Sequence, residues 1–128
     1  MEAIMIAQKK VVCIEHALVP EDFDSVLAQN GFDVVHTSIQ ENNISCISRE
    51  TPDVILIDIS NCPSVVWDMY HQIRQSARTC NVPVILIASK VKRIEELQML
   101  YAANAADCLM KPFAPQELVT SIKQALLN

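Results

Sequence analysis

Glycine is nearly absent from this chain: Gly31 is the only one in 128 residues. A loop that wraps a nucleotide phosphate needs several glycines, so that backbone N–H groups can close on the oxygens. Glycine-rich phosphate loops are therefore excluded. Cysteine pairs at motif spacing are missing too. Cys13, Cys46, Cys62, Cys80 and Cys108 are an odd number at irregular intervals, with no C-x-x-C for a redox centre or a zinc knuckle. Long apolar runs are also lacking. Stretches such as Val54-Ile55-Leu56-Ile57 and Val84-Ile85-Leu86-Ile87 fall far short of the roughly 20 residues that a membrane-spanning helix needs. The apolar start, Met1 to Ala7, contains Glu2 and is followed by Lys9 and Lys10. A secretory signal places its positive charge before its apolar core, so a cytoplasmic location is expected. Clustered positive charge is the last absence. The net charge is −5 and the lysines and arginines are scattered. A nucleic-acid face needs a basic patch to displace counterions, so no direct nucleic-acid binding is expected.

What is present is enough apolar residue, 51% of the chain, for one core-bearing domain. The expected boundaries are an N-terminal extension over 1–8 and a domain over 9–128. Short apolar runs alternate with amphipathic stretches. The pattern predicts strands over 10–14, 32–36, 54–57, 82–87 and 106–110. It predicts helices over 20–30, 40–49, 65–77, 91–102 and 115–127. Gly31 ends the first helix, and Leu118, Ile122, Ala125 and Leu126 mark the buried face of the last. Met69, Ile73 and Ala77 form the stripe of the third helix, Ser64 is its expected cap, and one of Trp67 and Tyr70 is expected to be exposed. Cys13 and Cys108 lie in strand-like stretches, where a reduced thiol behaves as a small hydrophobe. The runs over 54–57 and 84–87 are apolar on both faces, as in central parallel strands covered by helices. Five strands alternating with five helices imply right-handed crossovers and an α/β doubly wound sheet.

In such a sheet ligands bind at the carboxyl ends of the strands, where the strand order reverses. The residues there are Glu15 and His16 after strand 1, Asp58 after strand 3, Ala88 and Ser89 after strand 4, and Lys111 after strand 5. Alone, Asp58 reads as readily as a turn cap, and Lys111 as a solvated lysine. Together at the ends of strands 3 and 5 they make a plausible phosphoryl-handling pair, because an ammonium neutralises the oxygens of an acyl phosphate. Glu21, Asp22 and Asp24 cluster in the first turns of helix 1, where acidic residues complement the helix dipole.

Four segments then carry a resemblance. They are Pro52-Asp53-Val54-Ile55-Leu56-Ile57-Asp58, Ile73-Arg74, Val82-Pro83-Val84-Ile85-Leu86, and Ala106-Asp107-Cys108-Leu109-Met110-Lys111-Pro112-Phe113. With this spacing the chain resembles the receiver domain of two-component response regulators from Lys9 to Leu127. The resemblance implies a flavodoxin-like five-stranded parallel sheet of order 2-1-3-4-5, with Asp58 at the phosphoacceptor position and Lys111 at the family's lysine. It also exposes departures. Glu15 and His16 stand where the family has two acidic residues that hold magnesium, and histidine is a poor ligand for that hard ion. A reduced Mg2+ site of Glu15, Asp58 and the Ser60 carbonyl, completed by water, is implied, and it is expected to be weak. Ala88 replaces a threonine or serine that contacts the phosphoryl group. Ser89, one residue later, is the remaining candidate for that phosphate contact, although neighbours on a strand point opposite ways. Cys108 stands at the aromatic switch position.

The expected function is an atypical, non-enzymatic receiver in phosphorelay signal transduction. It is read as a protein-interaction module with weak or absent phosphorylation of Asp58. A working receiver, phosphorylated on Asp58 by a histidine kinase, is the alternative. A flavodoxin-like enzyme or cofactor binder is a third reading, disfavoured by the missing glycines and by the lack of a nucleophilic triad at the strand ends. The implied partners are a histidine kinase or another signalling protein, and a second copy through the face of helix 4, strand 5 and helix 5. That face includes Lys92, Arg93, Glu95, Glu96, Gln98, Gln116, Lys123 and Gln124. The sequence ends with the fifth helix, which fits both a stand-alone module and a segment of a longer regulator.

Overall fold

The computed structural model describes residues 8–14, 21–37, 44–59, 63–88 and 105–127. Its elements run β1 (Lys9–Ile14), α1 (Glu21–Gln29), β2 (Phe32–Thr37), α2 (Ile44–Arg49), β3 (Val54–Asp58), α3 (Pro63–Gln75), β4 (Val84–Ala88), β5 (Asp107–Met110) and a last helix, Pro115–Leu127. The helix expected over 91–102 lies outside the described residues. Every strand pairing is parallel and the order is β2-β1-β3-β4-β5, as expected. No helix among the described residues is long and apolar enough to cross a membrane.

Strand alternation divides the core into two layers. Val12, Ile14, Ile55, Ile57, Val84, Leu86 and Ala88 point to one face, where Ile47 of α2 and Val66, Met69, Tyr70 and Ile73 of α3 cover them. Val11, Cys13, Val54, Leu56, Ile85 and Ile87 point to the other, under Phe23 and Leu27 of α1 and Leu118, Val119, Ile122 and Ala125 of the last helix. Both faces are thus closed over β3 and β4, whose residues are all buried. Each aliphatic side chain buried this way contributes roughly 1.5–3 kcal/mol before entropy is counted.

Local chemistry sets the element ends. Gly31 closes α1 with φ 87°, the left-handed conformation that favours glycine. β4 begins at Val84 rather than at 82. The Val82 N–H bonds back to Thr79, its carbonyl accepts from Arg74 Nη1 at 2.7 Å, and Pro83 has no N–H to give. α3 starts at Pro63, so Ser64 is its second residue rather than the residue before it. The helix stops at Gln75, and Ala77 falls in the exposed turn beyond it. There Thr79 Oγ1 donates to the Ile73 carbonyl at 2.7 Å. Tyr70 is buried and Trp67 is half-buried, their rings stacked 5.7 Å apart, so neither is exposed as expected. In the last helix Leu118, Ile122 and Ala125 are buried and Leu126 half-buried, with Val119 and Ser121 added.

Cys108 departs from the sequence reading. Cys13 is fully buried, but Cys108 is exposed. It sits on the outermost strand beside Leu86, on the α3 side of the sheet. At a sheet edge a side chain has neighbours on one flank only, so an apolar sequence context does not by itself bury it.

Candidate functional site

β3, β4 and β5 lie side by side, and the chain leaves each at the same end of the sheet. Asp58 is the last residue of β3 and pairs with Ile87 in the β3–β4 ladder. Lys111 follows β5 directly, and its N–H bonds to the Ala88 carbonyl at 2.8 Å. The two side chains reach toward each other across β4. Lys111 Nζ donates to Asp58 Oδ2 at 2.8 Å, within the range of charge-assisted hydrogen bonds. The pair is asymmetric. Asp58 is 3% exposed, whereas the Lys111 side chain is 31% exposed, so the carboxylate is sunk in the fold and the ammonium sits at its rim. Two residues separated by 53 positions are therefore brought into contact, as expected from the strand ends.

The remaining expected site residues divide. Glu15, His16, Ser60 and Ser89 lie outside the described residues. Ala88 is described and is fully buried, its methyl group part of the α3-side core. It supplies no hydroxyl to the end of β4. Cys108, although exposed as a residue, has a thiol that partial burial and then the adjacent Asp107 carboxylate push above the ordinary cysteine value. Met110, next to Lys111 in the chain, is 41% exposed.

For magnesium, Asp58 is the one described oxygen ligand of the expected set. Among the described residues no three His, Cys, Asp or Glu side chains converge on a metal-sized site. A buried carboxylate at a strand end suits a hard cation, and its bond to Lys111 sets a competing positive charge on the same group.

Other contacts lie outside the Asp58–Lys111 pair. Asp24, read from sequence as a helix-dipole residue, also binds His36 Nε2 through both carboxylate oxygens, at 2.9 and 2.8 Å. Asp107 receives the Ser121 hydroxyl at 2.6 Å and the Cys108 N–H at 2.7 Å, tying β5 to the last helix. Phe113 packs edge-on against Phe23 of α1, with centroids 5.5 Å apart and an interplanar angle of 73°. In the sequence Phe113 stands only as part of a motif. Nothing in the spacing of residues 23 and 113 signals their contact.

The family model of the response regulator receiver domain matches residues 11–123. The chain belongs to this family. This receiver is 27% identical over 120 residues to the phosphate regulon transcriptional regulatory protein PhoB of Klebsiella pneumoniae, covering 94% of the chain and 52% of that relative. It is 27% identical over 122 residues to the probable transcriptional regulator ycf27 of Guillardia theta, covering 93% and 45%. The receiver thus spans about half the length of these curated relatives. Among solved structures, a putative response regulator from Chloroflexus aurantiacus superposes with a TM-score of 0.78 at 25% identity, over 94% of this chain and 99% of that one. The chemotaxis response regulator CheY4 of Vibrio cholerae gives 0.75 at 18% identity, over 93% and 99%, which shows the shared fold.

Proposed function

We propose that this receiver is an interaction module of two-component signalling whose Asp58 accepts phosphate weakly or not at all. The observation that carries the reading is Ala88. Its methyl group is fully buried in the core at the end of β4, where the family resemblance calls for a hydroxyl facing the phosphoryl group. His16 and Cys108 are altered in the same resemblance, so three positions that couple phosphate to shape have changed chemistry. Residues 9–128 make up the module, acting in the cytoplasm beside a histidine kinase or another signalling protein. The partner surface would combine β5 and the exposed Gln116, Lys123 and Gln124 of the last helix with the segment expected as a helix over 91–102, and would serve a second copy as well.

The alternative, a working receiver, is favoured by one specific observation, the 2.8 Å pair of Lys111 and Asp58. In that reaction an Asp58 carboxylate oxygen forms a bond to phosphorus. The bond from phosphorus to the donor's leaving atom breaks, and its electron pair departs with that atom, an imidazole nitrogen for a kinase phosphohistidine and an oxygen for a small acyl phosphate. Lys111 would release the carboxylate and neutralise the phosphoryl oxygens of the acyl phosphate. Magnesium, held by Glu15, Asp58 and the Ser60 carbonyl, would supply a Lewis acid to the same oxygens.

Intact-mass spectrometry separates the two readings. The receiver is incubated with magnesium and a small acyl phosphate, beside Asp58→Asn and an ordinary receiver. Little or no adduct on this chain, under conditions that label the ordinary receiver, supports the interaction module. A stoichiometric adduct, lost in Asp58→Asn and reduced by a chelator, overturns it in favour of the working receiver.

A further inference from the structure

Where the Lys111 ammonium sits depends on where its backbone is held, because four rotatable side-chain bonds leave the head group free to wander. On one side the backbone is pinned by the Lys111 N–H on the Ala88 carbonyl at 2.8 Å. On the other side three residues, 112–114, carry the chain from Lys111 to the last helix. Pro112 is exposed and has no N–H to give. The Ala114 N–H bonds to Glu117 Oε1 at 3.0 Å, but both residues are exposed. Phe113 alone sends its side chain inward. It is half-buried against the core under α1 and meets the buried Phe23 edge to face. That geometry matches the ring quadrupoles and favours one relative orientation, which a simple aliphatic contact does not.

We propose that Phe113, held edge-on by Phe23, is a positioning residue that sets the Lys111 ammonium on Asp58. The inference rests on the reading of Asp58 and Lys111 as the phosphate-handling pair. Phe23 lies in the first turns of α1, the helix that follows Glu15 and His16 in the chain. The ring pair therefore joins the turn that carries the lysine to the helix that follows the expected acidic edge. Loss of either ring loosens the turn at 111–114 and frees the ammonium to leave the carboxylate, while the strands stay paired.

The test reads Lys111 directly in the unphosphorylated chain, so it stands whether or not Asp58 takes phosphate. Proton exchange at the lysine ammonium groups is measured by nitrogen-detected NMR, and the Lys111 signal is assigned by its loss in Lys111→Met. Asp58→Asn gives the fast limit of an unpaired ammonium. Phe113→Leu and Phe23→Leu are expected to speed Lys111 exchange about tenfold, the change that about 1.4 kcal/mol of lost pairing produces. Phe113→Tyr keeps an aromatic edge and retains the slow exchange. Val119→Ala, buried in the same core layer, lowers stability and leaves Lys111 exchange as in the parent. If Phe113→Leu does not fold, Phe113→Met takes its place with the same expectation. The proposal is overturned if the Phe variants lose stability as Val119→Ala does while Lys111 exchange stays slow. It is overturned equally if Val119→Ala speeds exchange as much as they do.

Discussion

Replacing each partner of the Lys111–Asp58 pair should have unequal consequences, because the two groups are unequally buried. Lys111→Met keeps most of the apolar stem and removes the charge, leaving a carboxylate that is 3% exposed without its ammonium. Breaking a fully buried ion pair from one side costs about 3–5 kcal/mol. Lys111 is 31% exposed, so water reaches the gap and the cost falls to about 2–3 kcal/mol. Asp58→Asn is nearly isosteric and strands only the ammonium, which can swing into water on its long stem. The expected cost is about 0–1 kcal/mol. In the double variant the buried charge is gone, so the Lys111→Met penalty should shrink by about 2 kcal/mol, the coupling of the pair. Urea unfolding followed by circular dichroism reads the four proteins at neutral pH. The midpoints should move while the slopes stay constant. In thermal melts each kcal/mol corresponds to roughly 3–6 °C for a domain of this size. Equal losses from the two single variants, or a larger loss from Asp58→Asn, would refute the assignment of burial to the carboxylate side.

Three further outcomes follow from contacts away from the pair. Burial, with Asp24 adding to it, pushes the Cys13 thiol from 9.0 up to about 12. The unfolded chain then ionises first, and stability present below pH 9 is lost as pH rises toward 12, by at most about 4 kcal/mol. Cys13→Ala should flatten that alkaline limb relative to the parent in urea midpoints at pH 8 and 10.5, and identical slopes would count against it. Thr51 holds φ at 49°, a left-handed conformation unfavourable for a β-branched residue. Thr51→Gly should therefore raise stability by about 0.5–1 kcal/mol despite the extra entropy of glycine, and a lowered urea midpoint would contradict this. Arg74 donates through Nη1 to the carbonyls of Cys80 and Val82, at 3.1 and 2.7 Å, and through Nε to the Tyr70 hydroxyl at 3.1 Å. Arg74→Lys should cost about 1–3 kcal/mol, because an ammonium cannot span this fork. A melting temperature equal to the parent's would show that the three bonds contribute little.

Much of this fold was written in local patterns. The alternation of short apolar runs with helical stripes depends on side-chain periodicity, which neighbouring residues determine among themselves. Uninterrupted runs such as Val54 to Ile57 announced strands covered on both faces, and their alternation with helices announced a parallel sheet, while its order 2-1-3-4-5 was implied by the family resemblance. Gly31 ends α1 because its backbone conformation is a local requirement. The site was legible in the same way, since the ends of strands are readable and the sheet order places β3 and β5 on either side of β4.

Residues distant in sequence contributed what no pattern could show. Cys108 looked like core but lies on an edge strand, and whether an edge is covered depends on elements far along the chain. β4 starts late because a guanidinium from α3 takes the Val82 carbonyl, and a helix arginine gives no hint of such a bond. Asp24 found His36, and Phe23 found Phe113, only because β1 and β2 pair and α1 lies against the last helix. Among the described residues, the sequence by itself determined which backbone segments are strands and helices and that Asp58, Ala88 and Lys111 stand at strand ends. Only the tertiary structure decided that the carboxylate of the central pair is buried while its lysine stays at the rim. Burial is a property of everything packed around a group, and no short stretch of sequence contains that.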